Sequence, residues 1–155
     1  MLRFPGPGLL ALGCAVYATE VHAAARIGEL DVRTAPNGQP CFTVTAKEEK
    51  QGGAPNFQSI AVIEAASNSV MWKMTMPRER TFPVSAYMCV PYGGRPPVLP
   101  QTPAAPLQPG KLYDVTITTA PATALSPRQY RTRFCLSGQG GQTRIEPRCP
   151  GGRAQ

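Results

Sequence analysis

The chain has 155 residues, 16 Lys and Arg against 9 Asp and Glu, a formal net charge of +7 and a single His. Its 18 Pro and 15 Gly suit a loop-rich β domain better than a helical one. One imidazole leaves little room for His-based proton transfer or metal ligation, and neither a Gly-x-Ser-x-Gly elbow nor a phosphate loop or metal motif occurs.

The first segment has the features of an export signal. Arg3 gives a short basic start, Leu9 to Ala18 is an apolar run, and Val21-His22-Ala23 fits the small-x-small cleavage rule, with Ala23-Ala24-Ala25 as a second option. The run is too short to span a bilayer, which takes about 20 residues. Residues 1–23 are therefore expected to be a signal peptide and 24–155 a single domain, periplasmic or secreted. A competing reading makes Leu10-Ala11-Leu12-Gly13-Cys14 a lipobox, with Cys14 lipidated as the tether of an envelope lipoprotein. Cleavage at Ala23 removes His22, and with it the imidazole.

Seven strands are expected in the domain beyond the signal. Ile27–Thr34 puts Leu30 and Val32 on one face. Asn37-Gly38 turns into Cys41–Lys47, with Phe42, Val44 and Ala46 inward, and Gln51–Pro55 is a polar loop. The charged run Lys47-Glu48-Glu49-Lys50 reads as a solvated strand end. Phe57–Ala65 is apolar on both faces, as a central strand would be. Ser67-Asn68-Ser69 turns into Val70–Met76, where Trp72 is the core aromatic. Thr81–Val90 comes next, with Phe82, Val84, Ala86 and Met88 inward. Tyr113, Val115 and Ile117 alternate with Asp114 and Thr116 in the sixth strand, and Gln129–Leu136 is the seventh. No segment carries a sustained helical period, and short strands at this spacing read as a Greek-key sandwich.

Within this series Leu107-Gln108-Pro109-Gly110-Lys111-Leu112-Tyr113-Asp114-Val115-Thr116-Ile117 resembles the corner between the fifth and sixth strands of fibronectin type III domains, whose pattern is Leu-x-Pro-Gly-x-x-Tyr-x-Val-x-Ile/Val. The resemblance implies an all-β, seven-stranded immunoglobulin/fibronectin-like sandwich. It also implies that the Tyr113 hydroxyl bonds back to upstream backbone. Val115 stands where an antibody domain would carry Cys, which favours the fibronectin-like branch.

Four Cys remain after export, Cys41, Cys89, Cys135 and Cys149, an even set that implies two disulfides in an oxidising compartment. Cys41, Cys89 and Cys135 lie on the sides of their strands away from the expected core. In the strand order the resemblance implies, the second and fifth strands are neighbours, so Cys41 meets Cys89. Cys135 and Cys149 then staple the last strand to the tail across Gly138–Gly141. Both bonds read as structural.

The chain departs from the family pattern in a long Pro-rich loop, residues 96–110. Pro97, Pro100, Pro103, Pro106 and Pro109 recur every third residue, the period of a polyproline II helix, so their rings share one face. The loop is expected to be a strap across a sheet edge; the alternative is a preformed ridge for a protein partner, in which Pro97, Pro100, Pro103 and Pro106 are contact residues. Outward Arg131 and Arg133 on the seventh strand blunt edge-to-edge association; as binding residues they point to an acidic protein partner or an anionic envelope polymer, and nucleic acid is not expected.

These features predict an exported, non-catalytic protein-binding module with no cofactor and no metal. It is similar in kind to immunity proteins that neutralise toxins delivered by type VI secretion. The alternatives are a structural accessory of a cell-envelope or secretion assembly, and a hydrolase using the Glu29 and Asp31 carboxylates.

Overall fold

Alternating large apolar and polar residues write most of the architecture. The computed structural model describes residues 26–94, 99–139 and 142–146. In chain order the elements are β1 (Ile27–Thr34), β2 (Pro40–Val44), α1 (Ala46–Gly52), β3 (Asn56–Glu64), β4 (Val70–Thr75), β5 (Val90–Pro91), β6 (Leu112–Ala120), β7 (Gln129–Gln139) and β8 (Gln142–Glu146). The strands form one curled mixed sheet in the order β4-β3-β6-β7-β1-β2-β5, with β8 paired to β7. All neighbours are antiparallel except β1 and β7.

β1 serves two partners. Its start, Ile27–Glu29, runs parallel to Gln129–Arg131 of β7, and its remainder, Leu30–Thr34, pairs with Pro40–Val44 of β2. The parallel approach is close: a Cβ on Gly28 would sit 2.3 Å from Cδ1 of Tyr130. Only glycine lets the two strands meet there.

The sheet curls until its two ends touch. Trp72 on β4 and Tyr92, just past β5, pack edge-on with ring centroids 5.5 Å apart. Between them lie the fully buried Phe42, Phe57, Tyr113, Tyr130 and Phe134, with Phe134 contacting both Phe42 and Tyr113. Truncating such a ring to Ala typically costs about 3–5 kcal/mol, so this cluster dominates the stability. Trp72 is the central aromatic that its alternating strand implied.

Three local expectations need correction. The strand after Asn37-Gly38 stops at Val44, because Thr45 caps a helix instead. Its side chain accepts from Glu48 N–H at 3.2 Å, Glu48 and Glu49 occupy the first turn, and Gly53 closes the end at φ 74° with its N–H on Glu49 O. Carboxylates at a helix start and glycine at its end are favourable, so Lys47–Lys50 is helical and Ala46 is exposed. Glu48 in turn is buried, and both its oxygens accept from Arg26 Nη1 at 2.8 and 2.9 Å.

The fifth strand shrinks to Val90–Pro91, with an isolated bridge from Pro83 to Asn56. Pro83 has no N–H to give a ladder, and residues 84–89 spend their backbone groups on other elements. Ser85 O accepts from Thr43 Oγ1, Ala86 N donates to Glu49 and Ala86 O accepts from Arg33. Met88 is consequently exposed, whereas Val84 and Ala86 are buried.

A further strand, β8, pairs with β7 from Cys135↔Glu146 to Gln139↔Gln142. Cys41 and Cys135 lie on the side opposite the aromatic core, as their register implied, and are buried there, at 4% and 2% exposure. For Cys41 the reason is visible. All five residues of β2 are buried, because residues 84–89 cover its outer side.

Candidate partner-binding surfaces

The Cys41–Cys89 disulfide is present, with Cα atoms 5.4 Å apart across 48 residues of sequence. It ties the irregular segment before β5 to the first residues of β2. Cys135 is also disulfide-bonded, and its expected partner Cys149 lies outside the described residues. So do Cys14 and Pro97.

The proline segment lies along the outer edge of β4. Thr75 N donates to Pro100 O at 3.0 Å, Thr102 N to Lys73 O at 2.9 Å and Ala105 N to Met71 O at 2.8 Å. The Thr102 hydroxyl accepts from Lys73 N–H at 2.9 Å. The three-residue period explains the division of labour. Thr102 and Ala105, each immediately before a proline, turn their N–H groups to the edge. Pro100, Pro103 and Pro106, which have no N–H to offer, remain exposed. The segment is therefore a strap that satisfies the open strand edge, and it carries its proline rings on the solvent side.

Tyr92 fastens this strap to the rest. Its hydroxyl lies 2.7 Å from Ala105 O and 3.1 Å from Met71 O, within reach of both acceptors. Burial, and secondarily the neighbouring Tyr113, push its pKa well above the usual phenol value, so the hydroxyl stays a donor. At the far end of the strap the Tyr113 hydroxyl accepts from Gln108 N–H at 2.8 Å. This is the upstream backbone bond expected of that tyrosine.

Arg131 and Arg133 project from β7 on the face away from the aromatic core. They are not equivalent. Arg133 Nε meets Asp114 Oδ1 on β6 at 2.5 Å, and that bond raises the guanidinium pKa further. Arg131 donates to Gln129 Oε1 at 3.0 Å and has no ion pair among the described residues. Arg131 and Arg133 line one hollow with Asp114 and Thr116. Another hollow on the same face gathers Ser59, Thr75, Arg78 and Thr118. The sequence gives no warning of Lys73 and Arg78 as members of this face, because strand neighbours across a sheet are distant in sequence.

Glu29 and Asp31 are two apart on β1, but Asp31 accepts from Arg33 Nε at 2.9 Å and is held in that surface pair. Among the described residues no three His, Cys, Asp or Glu side chains come together as a metal site. No helix among them is long and apolar enough to cross a membrane. Comparison of the chain with protein-family models, curated proteins and solved structures gives no match.

Proposed function

We propose that the protein is an exported, non-catalytic module that works by binding another protein, of the kind that neutralises a toxin in the periplasm. The observation that carries this reading is the outward row of Pro100, Pro103 and Pro106 on a strap held by main-chain hydrogen bonds. A surface ordered before its partner arrives loses little conformational entropy on binding. Extended proline-rich segments suit aromatic-lined grooves for that reason.

The same reading takes the frame as a seven-stranded Greek-key, immunoglobulin/fibronectin-like sandwich to which β8 is added. It is supported by the grouping of β4, β3, β6, β7 and the start of β1 on one side against the rest of β1, β2 and β5 on the other. The Tyr113–Gln108 bond adds to this.

The test is partner capture by the immobilised mature protein from a periplasmic extract of the source cells. The captured protein would be identified by mass and its affinity re-measured in pure form. Replacing Pro100, Pro103 and Pro106 by Ala should weaken that affinity at least tenfold. Stability should fall by no more than about 0.4–1 kcal/mol per site. A variant that melts near the parent and binds equally well would leave the segment as a strap alone.

A further inference from the structure

The outer face of the sheet combines a floor of small side chains with cations on both sides. Register places Lys73 of β4, Ala61 of β3, Thr116 of β6 and Arg131 of β7 in one cross-strand row. The next row holds Thr75, Ser59, Thr118 and Gln129. The floor residues Ser59, Ala61, Thr116 and Thr118 are small and only half-exposed. From β4 to β7 is three strand spacings, about 14 Å.

The charges on this face are unevenly compensated. Asp114 is taken by Arg133. Glu29 stands beside Arg131 in the β1–β7 register but forms no ion pair with it. Lys73, Arg78 and Arg131 are thus left without an ion pair among the described residues. They border the floor on opposite sides, Lys73 and Arg78 at the β4 edge and Arg131 on β7.

We propose that this face docks an acidic α-helix of the partner protein. A helix is about 10–12 Å across, which fits the span between the flanking cations. Small floor residues let its backbone approach, while Glu or Asp on its two flanks reach Lys73 and Arg78 on one side and Arg131 on the other. An extended acidic strand or polymer would meet one row of cations at a time. The inference rests on the reading of the chain as a protein-binding module and adds the chemistry of what is bound.

The probe is a lactam-bridged helical peptide of about 20 residues, long enough to hold a helix, with Ala on one face and Glu on both flanks. Controls are the same composition in a proline-broken order and a polyuronate oligosaccharide. Binding is read by fluorescence anisotropy and by amide shifts of the folded protein. The expected result is at least tenfold tighter binding of the helical peptide than of either control. Shifts should concentrate on β3 and β6, and affinity should weaken as salt is raised. Lys73→Glu and Arg131→Glu should each weaken binding at least fivefold, whereas Lys47→Glu and Lys50→Glu on α1 should not.

Equal binding of the proline-broken peptide or the polyuronate overturns the helix in favour of an acidic polymer. Absence of binding, or equal loss from the α1 variants, removes the face altogether. If the proline variants still lose a captured partner in that case, this inference fails while the binding-module reading stands. If they do not, both fail.

Discussion

The Tyr113 hydroxyl accepts the Gln108 N–H at 2.8 Å, joining the start of β6 to the end of the proline strap. The ring itself is buried against Phe134, so the residue fixes packing and chain direction together. Tyr113→Phe keeps the ring and strands the Gln108 donor. It is expected to lower stability by roughly 1–2 kcal/mol. Urea unfolding of the pair measures this, and an unchanged midpoint would show that water serves Gln108 equally well.

The Cys41–Cys89 bond closes a long loop containing α1, β3 and β4. On chain entropy alone, a loop of this length is worth about 4 kcal/mol. Replacing both residues by Ser should therefore cost roughly 2–4 kcal/mol, since strain and residual structure reduce such figures. Non-reducing peptide mapping of the parent should recover the Cys41–Cys89 peptide and a separate Cys135–Cys149 peptide. A Cys41–Cys135 peptide would contradict the strand order.

Gly28 lies where β1 runs parallel to β7, and a Cβ there would meet Cδ1 and Cε1 of Tyr130 at 2.3 and 2.5 Å and Pro127 at 3.0 Å. Because Tyr130 is fully buried, its ring has nowhere to retreat. Gly28→Ala is expected to destabilise by about 1–3 kcal/mol through overpacking. The double variant Gly28→Ala, Tyr130→Leu should recover part of that loss. Thermal melts of the three proteins decide it, and a wild-type-like single variant would refute the close contact.

Tyr130 also sets an alkaline limit. Burial, with the Glu48 carboxylate adding and Arg26 opposing, pushes its phenol pKa up to about 12, against an ordinary value near 10. The unfolded chain releases this proton first, so above pH ~10 the native state holds more protons than the unfolded state. Stability then falls with rising pH until the native phenol also ionises near pH 12. In Tyr130→Phe the urea midpoint should decline less steeply across that window. Identical slopes would mean that the phenol ionises as freely as in the unfolded chain.

The sequence is legible where one residue type decides one face. Trp72, Met74, Val115, Ile117, Tyr130 and Phe134 all occupy the inner side that their alternation implied, while Phe57–Ala65, apolar on both faces, buries Ile60 and Val62 and leaves Ala61 and Ile63 part-exposed. It is least legible where polar groups do the deciding. Thr45 and two glutamates turn an apparent strand end into α1, because capping bonds outweigh the alternation of Val44 and Ala46. The Thr81–Val90 run has apolar residues in strand register, yet its backbone is spent on Thr43, Glu49 and Arg33, partners no periodicity could reveal. β8 has one large apolar residue, Ile145, and so carries almost no pattern of its own. Proline spacing foretold the strap. The cation-flanked face depends on register, which alternation alone does not fix.

The double allegiance of β1 has a consequence for how the protein must be made. Its opening residues lie beside Gln129–Arg131, roughly a hundred positions further on. A chain emerging from its N-terminus can form the β3–β4 hairpin and close the Cys41–Cys89 loop while most of β7 is still unmade. It cannot seat the opening residues of β1, Ile27–Glu29, until β7 arrives. Until then the edge of β1 that awaits β7 stays unpaired, a surface for holdase chaperones and for strand-mediated aggregation. Late closure between the beginning and the end of the chain makes folding slow for its size. It also makes release from any escort a step that senses completion of the whole domain.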